Sequence, residues 1–122
     1  MHSFLSTLVA AWGATFLIET AVISVALSSR HGWRIRLFSG IWLSACTLPL
    51  VWFVLPECLP TAASRWAYVV CAEVFAPVAE CLLFWRAFIH PLPRDTVATI
   101  RDCLAITAAN AASFIAGALF WP

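Results

Sequence analysis

The sequence predicts an all-α fold: an integral membrane four-helix bundle threaded up-down-up-down, with both termini on the non-cytoplasmic side. Three observations lead there. The chain of 122 residues is 63% hydrophobic and 11% charged, against roughly half and a quarter in a soluble domain. Its mean hydropathy is +0.93, and a water-soluble chain this apolar has too little polar surface to cover itself. The apolar residues fall in four long runs, and roughly 20 apolar residues cross the hydrocarbon layer. Four spans and short connectors use up the length, so residues 1–122 read as a single transmembrane domain. The arginines are placed unevenly, and that sets the orientation.

The first span runs from about Phe4 to Leu27. The opening MHSFLSTLVAAWGATF lacks the basic start of a secretory signal, and the apolar run continues past Glu19; it reads as a retained span. The second runs from about Leu37 to Leu55 and is expected to stop at Pro56. The third runs from about Trp66 to Ile89 and stops at His90-Pro91; the fourth runs from about Thr99 to Trp121. Proline removes a backbone donor and biases its predecessor away from helix, so the proline-bearing connectors PECLPTAASR and HPLPRDTVATIRD end helices well. Asp95 and Thr96 are suited to cap the fourth helix.

Arg30, Arg34 and Arg36 lie in the first connector, and Arg86, Arg94 and Arg101 in or beside the third; the second has only Arg65. Positive residues stay on the cytoplasmic side, so residues 28–36 and 90–100 are expected to be cytoplasmic. Trp33, Trp66, Trp85 and Trp121 lie near span ends, where amphipathic rings favour the headgroup layer. The arginine-rich loop SSRHGWRIR is accounted for by this asymmetry alone. Net charge is +1, which gives no field to attract nucleic acid.

The informative residues are acids inside the spans. Glu73, Pro77, Glu80 and Phe84 recur at helical spacing, so both acids share a face, about 10 Å apart along the axis. Pro77 frees a carbonyl near Glu73 and can kink the helix there. Trp12, Thr15 and Glu19 share a face of the first span. Cys103, Thr107, Asn110, Ser113 and Gly117 trace a narrow polar and small face on the fourth. Pointing these faces at one another gives a cluster of Glu19, Glu73, Glu80 and Asn110, with Thr15, Thr107 and Ser113 around it. An ionised acid at a helix centre costs about 2.5–3.5 kcal/mol. Arg86 lies six residues beyond Glu80 and about 120° around the helix, so it does not pair with it. Sharing protons, binding a cation or hydrating a cavity remain as ways to settle the charge. The bland alternative is packing: a polar side chain between membrane helices is worth about 0.6 kcal/mol as glue.

Ala108, Ala112 and Ala116 form one small-residue series on the fourth span, and Ala109, Ser113 and Gly117 a second; Gly40 and Ser44 repeat the spacing on the second span. Such series permit close backbone contact, inside the monomer or across a homodimer or larger complex. The cysteines (Cys46, Cys58, Cys71, Cys81, Cys103) have no metal-site or disulfide spacing. Cys46 and Cys81 read as apolar filler, without excluding a redox or soft-metal role. His2, His31 and His90 fall near the membrane surfaces, outside the acid cluster. No cofactor or phosphate motif and no nucleophile elbow is present.

By size and by an acid in its first span, the chain resembles the small multidrug-resistance exporters, four-helix proteins that dimerise and exchange protons for cationic drugs on that glutamate. The likeness rests on Glu19; the glycine-rich surroundings of that family are absent here, and its members lack the acids of the third span. ACTLPLVWFVLP, CAEVFAPVAECLLF and ANAASFIAG resemble recurring phrases of an uncharacterised family of small four-helix bacterial membrane proteins, which implies a bacterial inner membrane and no particular function. Three functions follow as expectations. The first is a proton- or cation-coupled transporter or channel. The second is an accessory or assembly subunit of a larger membrane complex, its acids serving packing. The third, ranked last, is an enzyme using the glutamates as acid and base.

Overall fold

The structure, a computed structural model, describes residues 2–60 and 64–120. These form α1 (His2–Ala26), α2 (Trp33–Pro49), the short α3 (Leu55–Cys58), α4 (Arg65–Phe84) and α5 (Thr96–Phe120), with π-helical turns at Leu50–Val54 and Trp85–Ile89. Four helical stretches are long and apolar enough to cross a membrane: Ser3–Ala26, Trp33–Cys58, Arg65–Ile89 and Thr96–Phe120. The expected end at Trp121, and that ring's place at a span end, lie outside the described residues.

Two starts and one stop differ from the sequence expectation. The second span begins one turn before Leu37, at Trp33, because Gly32 is extended and the helix starts directly after it. The fourth begins at Thr96 rather than Thr99, because Asp95 caps it: Asp95 Oδ1 accepts from the Ala98 N–H at 3.0 Å. Pro56 does not stop the second span. The π turn absorbs it, with the Leu55 N–H reaching back five residues to the Leu50 carbonyl. In that register the Val51 carbonyl would need a donor from Pro56, which has none. The Tyr68 hydroxyl supplies it, donating to Val51 O at 2.8 Å. The same device precedes Pro91, where the His90 N–H donates to Trp85 O at 2.7 Å.

Neighbouring helices are antiparallel. Arg36 meets Ser24, Gly40 meets Thr20 and Trp52 meets Trp12 between the first two spans. Ser28 meets Asp102 and Glu19 meets Ser113 between the first and the fourth. Thr47 meets Glu80 between the second and third, and Asn110 meets Glu80 between the third and fourth. The first and third spans therefore stand diagonally across a square, each flanked by the second and fourth.

The apolar core is off-centre. Ile23, Leu27, Leu43, Phe84, Ile89, Ala105, Ile106 and Ala109 pack in the half that carries the first and third connectors. Arg36 closes that end of α1. Its guanidinium donates to Ser24 O at 2.8 Å, Leu27 O at 3.0 Å and Ser28 O at 2.8 Å, and its Nε to His31 O at 3.0 Å. A planar fork with five donors suits this task, and a cation at a helix C-terminus also opposes the helix dipole.

Candidate functional site

The acids reach the bundle axis from the diagonal pair of helices. Glu19 is 4% exposed and Glu80 1%, and each is held by the two helices that flank it. Glu19 accepts from Ser44 of the second span and, at 2.8 Å, from Ser113 of the fourth. Glu80 accepts from Thr47 of the second span at 2.6 Å and from Asn110 Nδ2 of the fourth at 2.7 Å. The partners follow one rule. Ser44 and Asn110 each serve the acid of their own half of the chain, and Thr47 and Ser113, three residues further on, each serve the acid of the other half.

The hydroxyls of this layer each face two acceptors. Thr47 Oγ1 is 3.0 Å from Leu43 O as well as 2.6 Å from Glu80. Ser44 Oγ is 3.1 Å from Gly40 O, and Ser113 Oγ 3.0 Å from Asn110 O. A hydroxyl has a single proton to donate. If it goes to the carboxylate, the acid is satisfied in its ionised form. If it turns to the helix carbonyl, the carboxyl group must bring its own proton and donate to the hydroxyl oxygen. Rotating three hydroxyls thus adapts the layer to either protonation state without moving a helix.

Above this layer lies a cavity of about 660 Å³ with walls from all four spans. Glu19, Thr47, Asn110 and Ser113 form its floor; Thr15 and Glu73 lie on its walls; Thr7, Arg65, Trp66 and Ala118 ring its mouth. The mouth residues are exposed and lie at the end that carries the second connector. Glu73 is half-buried, and no described residue donates a hydrogen bond to it. Glu19 is close enough to both Glu73 and Glu80 to interact with them electrostatically. Glu80 lies below the floor and does not line the cavity.

The expected cluster is therefore regrouped. Glu19, Glu80, Asn110 and Ser113 meet directly, while Glu73 and Thr15 face the same space from above. Pro77 is half-buried inside one unbroken helix and is not a lining residue. Thr107 does not join. It is exposed, and its hydroxyl bonds its own helix at Cys103 O, 2.8 Å away. The buried stripe of α5 is Asp102, Ala105, Ile106, Ala109 and Asn110; at 100° per residue Thr107 lies about 130° from its centre. Ala109, Ser113 and Gly117 turn toward the interior, while Ala108 is exposed. Cys81 Sγ lies 3.7 Å from Cys103 O, and all five cysteines are free thiols.

No family model matches the chain, and no curated protein or solved structure matches it either. Its chemistry has to be read from its own side chains.

A second polar centre escaped the sequence reading. Asp102, fully buried, accepts from the Ser28 N–H at 2.8 Å, from Arg30 Nε at 3.3 Å and Nη2 at 2.8 Å, and lies 2.8 Å from His31 Nε2. Arg30 Nη2 also donates to Thr99 at 3.1 Å. His31 is 3% exposed and packs edge-on against Phe84, with ring centroids 5.0 Å apart. Arg30 and Arg36 thus hold the first connector together. The signal available was an aspartate on the apolar stripe of the fourth span, at i, i+4 and i+8 with Ile106 and Asn110. For Ser44 and Thr47 it was the spacing Gly40, Ser44, Thr47, Val51, the same pattern that singled out the acids of the third span.

Proposed function

We propose that the protein moves protons or small cations across a bacterial inner membrane, with Glu19, Glu73, Glu80 and Asn110 as the binding groups. Residues 28–36 and 90–100 face the cytoplasm in this reading, and both termini and the cavity mouth face the other side. The observation that carries it is the cavity: Glu73 and Glu19 face a space that exposed residues connect to one end of the bundle. A packing role gives no reason for an acid without a hydrogen-bonding neighbour on a cavity wall. Intramembrane carboxylates facing such a space mark ion or proton pathways as a rule.

The reading as an accessory or assembly subunit keeps one specific support. Glu19 and Glu80 each tie three helices together, which is what interhelical glue does. Flux in reconstituted liposomes separates the two. Glu19→Gln, Glu73→Gln and Glu80→Gln each keep the shape and remove the titration. In a transporter or channel they lower pH-driven flux by about 100-fold, the usual contribution of a positioned proton-transferring side chain. Wild-type flux in all three variants, or a purified protein that carries no flux but retains stoichiometric partners in mild detergent, overturns the transport reading.

A further inference from the structure

The cavity stops at Glu19, yet buried polar atoms do not. Among the described residues six buried side-chain nitrogen and oxygen atoms have no hydrogen-bond partner, and five of them belong to Thr20, Ser24, Ser28, Arg30 and His31. These residues lead from the acid layer to the Asp102 centre. Thr20 and Ser24 stand at i and i+4 on one face of α1, about 6 Å apart along its axis, and Ser28 follows in the turn after it. Buried polar groups are nearly always satisfied, so a file of orphans in one seam needs an explanation. Elsewhere in the chain Thr7, Thr47 and Thr107 turn their hydroxyls onto the carbonyl four residues back. Thr20 and Ser24 do not.

The seam leads out of the acid layer through the second span. Ser44 lies between Glu19 and the Gly40 carbonyl, and Gly40 is pressed onto Thr20: a Cβ there would fall 2.6 Å from Thr20 Cα. At the far end His31 Nδ1 is buried and unpartnered, while Nε2 faces Asp102 Oδ2 at 2.8 Å. The groups around His31 are Asp102 from the fourth span, Arg30 beside it in the connector, Arg36 of the second span on its carbonyl, and Phe84 of the third on its ring.

We propose that the transported species is the proton, and that it crosses the close-packed half of the bundle along Thr20, Ser24 and Ser28 to His31, the gaps bridged by water in single file. This rests on the carboxylate reading above and narrows it. A water making two hydrogen bonds of about 2.8 Å at its tetrahedral angle spans about 4.5 Å, so two waters in file cover one step of about 6 Å. No larger cation passes: Ile23, Leu27, Leu43, Phe84 and Ile106 fill this half and are at most 1% exposed. Among the described residues no three His, Cys, Asp or Glu side chains are grouped to hold a metal ion. The proton count closes. Each hydroxyl takes one proton and gives one up. His31 takes one at Nδ1 and gives one from Nε2 to the Asp102 carboxylate. Asp102 is itself fully buried, but Arg30, which donates to it, also lines a surface groove with Arg94 and Asp95, and a water beside that guanidinium takes the proton from Asp102 to the groove. Hydroxyl rotation and exchange between the ring nitrogens restore the start.

The test is proton flux into liposomes that enclose a pH-sensitive dye, driven by a potassium diffusion potential. Ser24→Ala and Thr20→Val each remove a hydroxyl that bonds no protein group, so thermal stability stays close to that of the parent. Flux in both falls by about tenfold or more, as for the loss of one hydrogen-bonded step, and Thr20→Ser recovers most of what Thr20→Val loses. Thr107→Val, on the exposed face, leaves it unchanged. Wild-type flux in Ser24→Ala and Thr20→Val alongside dead glutamate variants overturns the relay and leaves the carboxylate site standing. Wild-type flux in the glutamate variants removes both. Passage of sodium or potassium without protons by the native chain also overturns the relay.

Discussion

Removing the Asp102 carboxylate leaves the partly exposed Arg30 without its counter-charge and the Ser28 N–H and His31 Nε2 without their buried partner. Breaking such a pair by deleting one partner costs about 3–5 kcal/mol. Asp102→Ala should therefore unfold at lower denaturant in detergent by that margin, while Asp95→Ala, which loses only an exposed helix cap, costs about 1 kcal/mol. An Asp102→Ala protein as stable as the parent would show that the cluster is held by other contacts. Sequence alone left Asp102 as the last residue of the proline-bearing connector with no role, because its partners lie 71 to 74 residues away along the chain. Glu19 and Glu80 were legible for the opposite reason. An acid inside an apolar run is conspicuous wherever its partner lies; a serine or threonine there is not. Ser44 was read only as a small residue, and Thr47 passed unnoticed, on that account.

At the level of elements, the closest approach in the fold is between α1 and α2. Gly40 has no side chain because Thr20 occupies the place of one, backbone and hydroxyl together within 2.9 Å of the missing Cβ. Gly40→Ala must push the two helices apart or distort one of them, and overpacking of this kind costs about 1–3 kcal/mol. Thermal unfolding in detergent reads it directly; Gly117→Ala, with nothing near its Cβ position, is the matched control and should be close to neutral. The small-residue spacing at Gly40 and Ser44 marked this contact in the sequence. The passage of the second span through Pro56 was not foreseeable. It needed a π turn and a tyrosine from another helix to donate to the carbonyl that proline leaves without a donor, and neither is encoded near Pro56 itself.

The whole molecule has two unlike ends. One opens into the cavity between Thr7, Arg65, Trp66 and Ala118; the other is closed by apolar packing and by the arginines of the first connector. Cys58, exposed in α3, belongs to the open end. In intact cells a membrane-impermeant maleimide should label it and lose its signal in Cys58→Ser; labelling only in inverted vesicles would reverse the proposed orientation. The four helices were legible because hydropathy and proline placement act locally. The off-centre core was not, since it depends on which faces of the diagonal helices meet the second and fourth spans. That asymmetry has an electrical side. In the transport reading, a voltage across the bilayer falls most steeply where open water stops, in the half packed with Ile23, Leu27, Leu43, Phe84 and Ile106. A unit charge carried across that half feels most of the membrane potential, worth about 2.3 kcal/mol for each 100 mV.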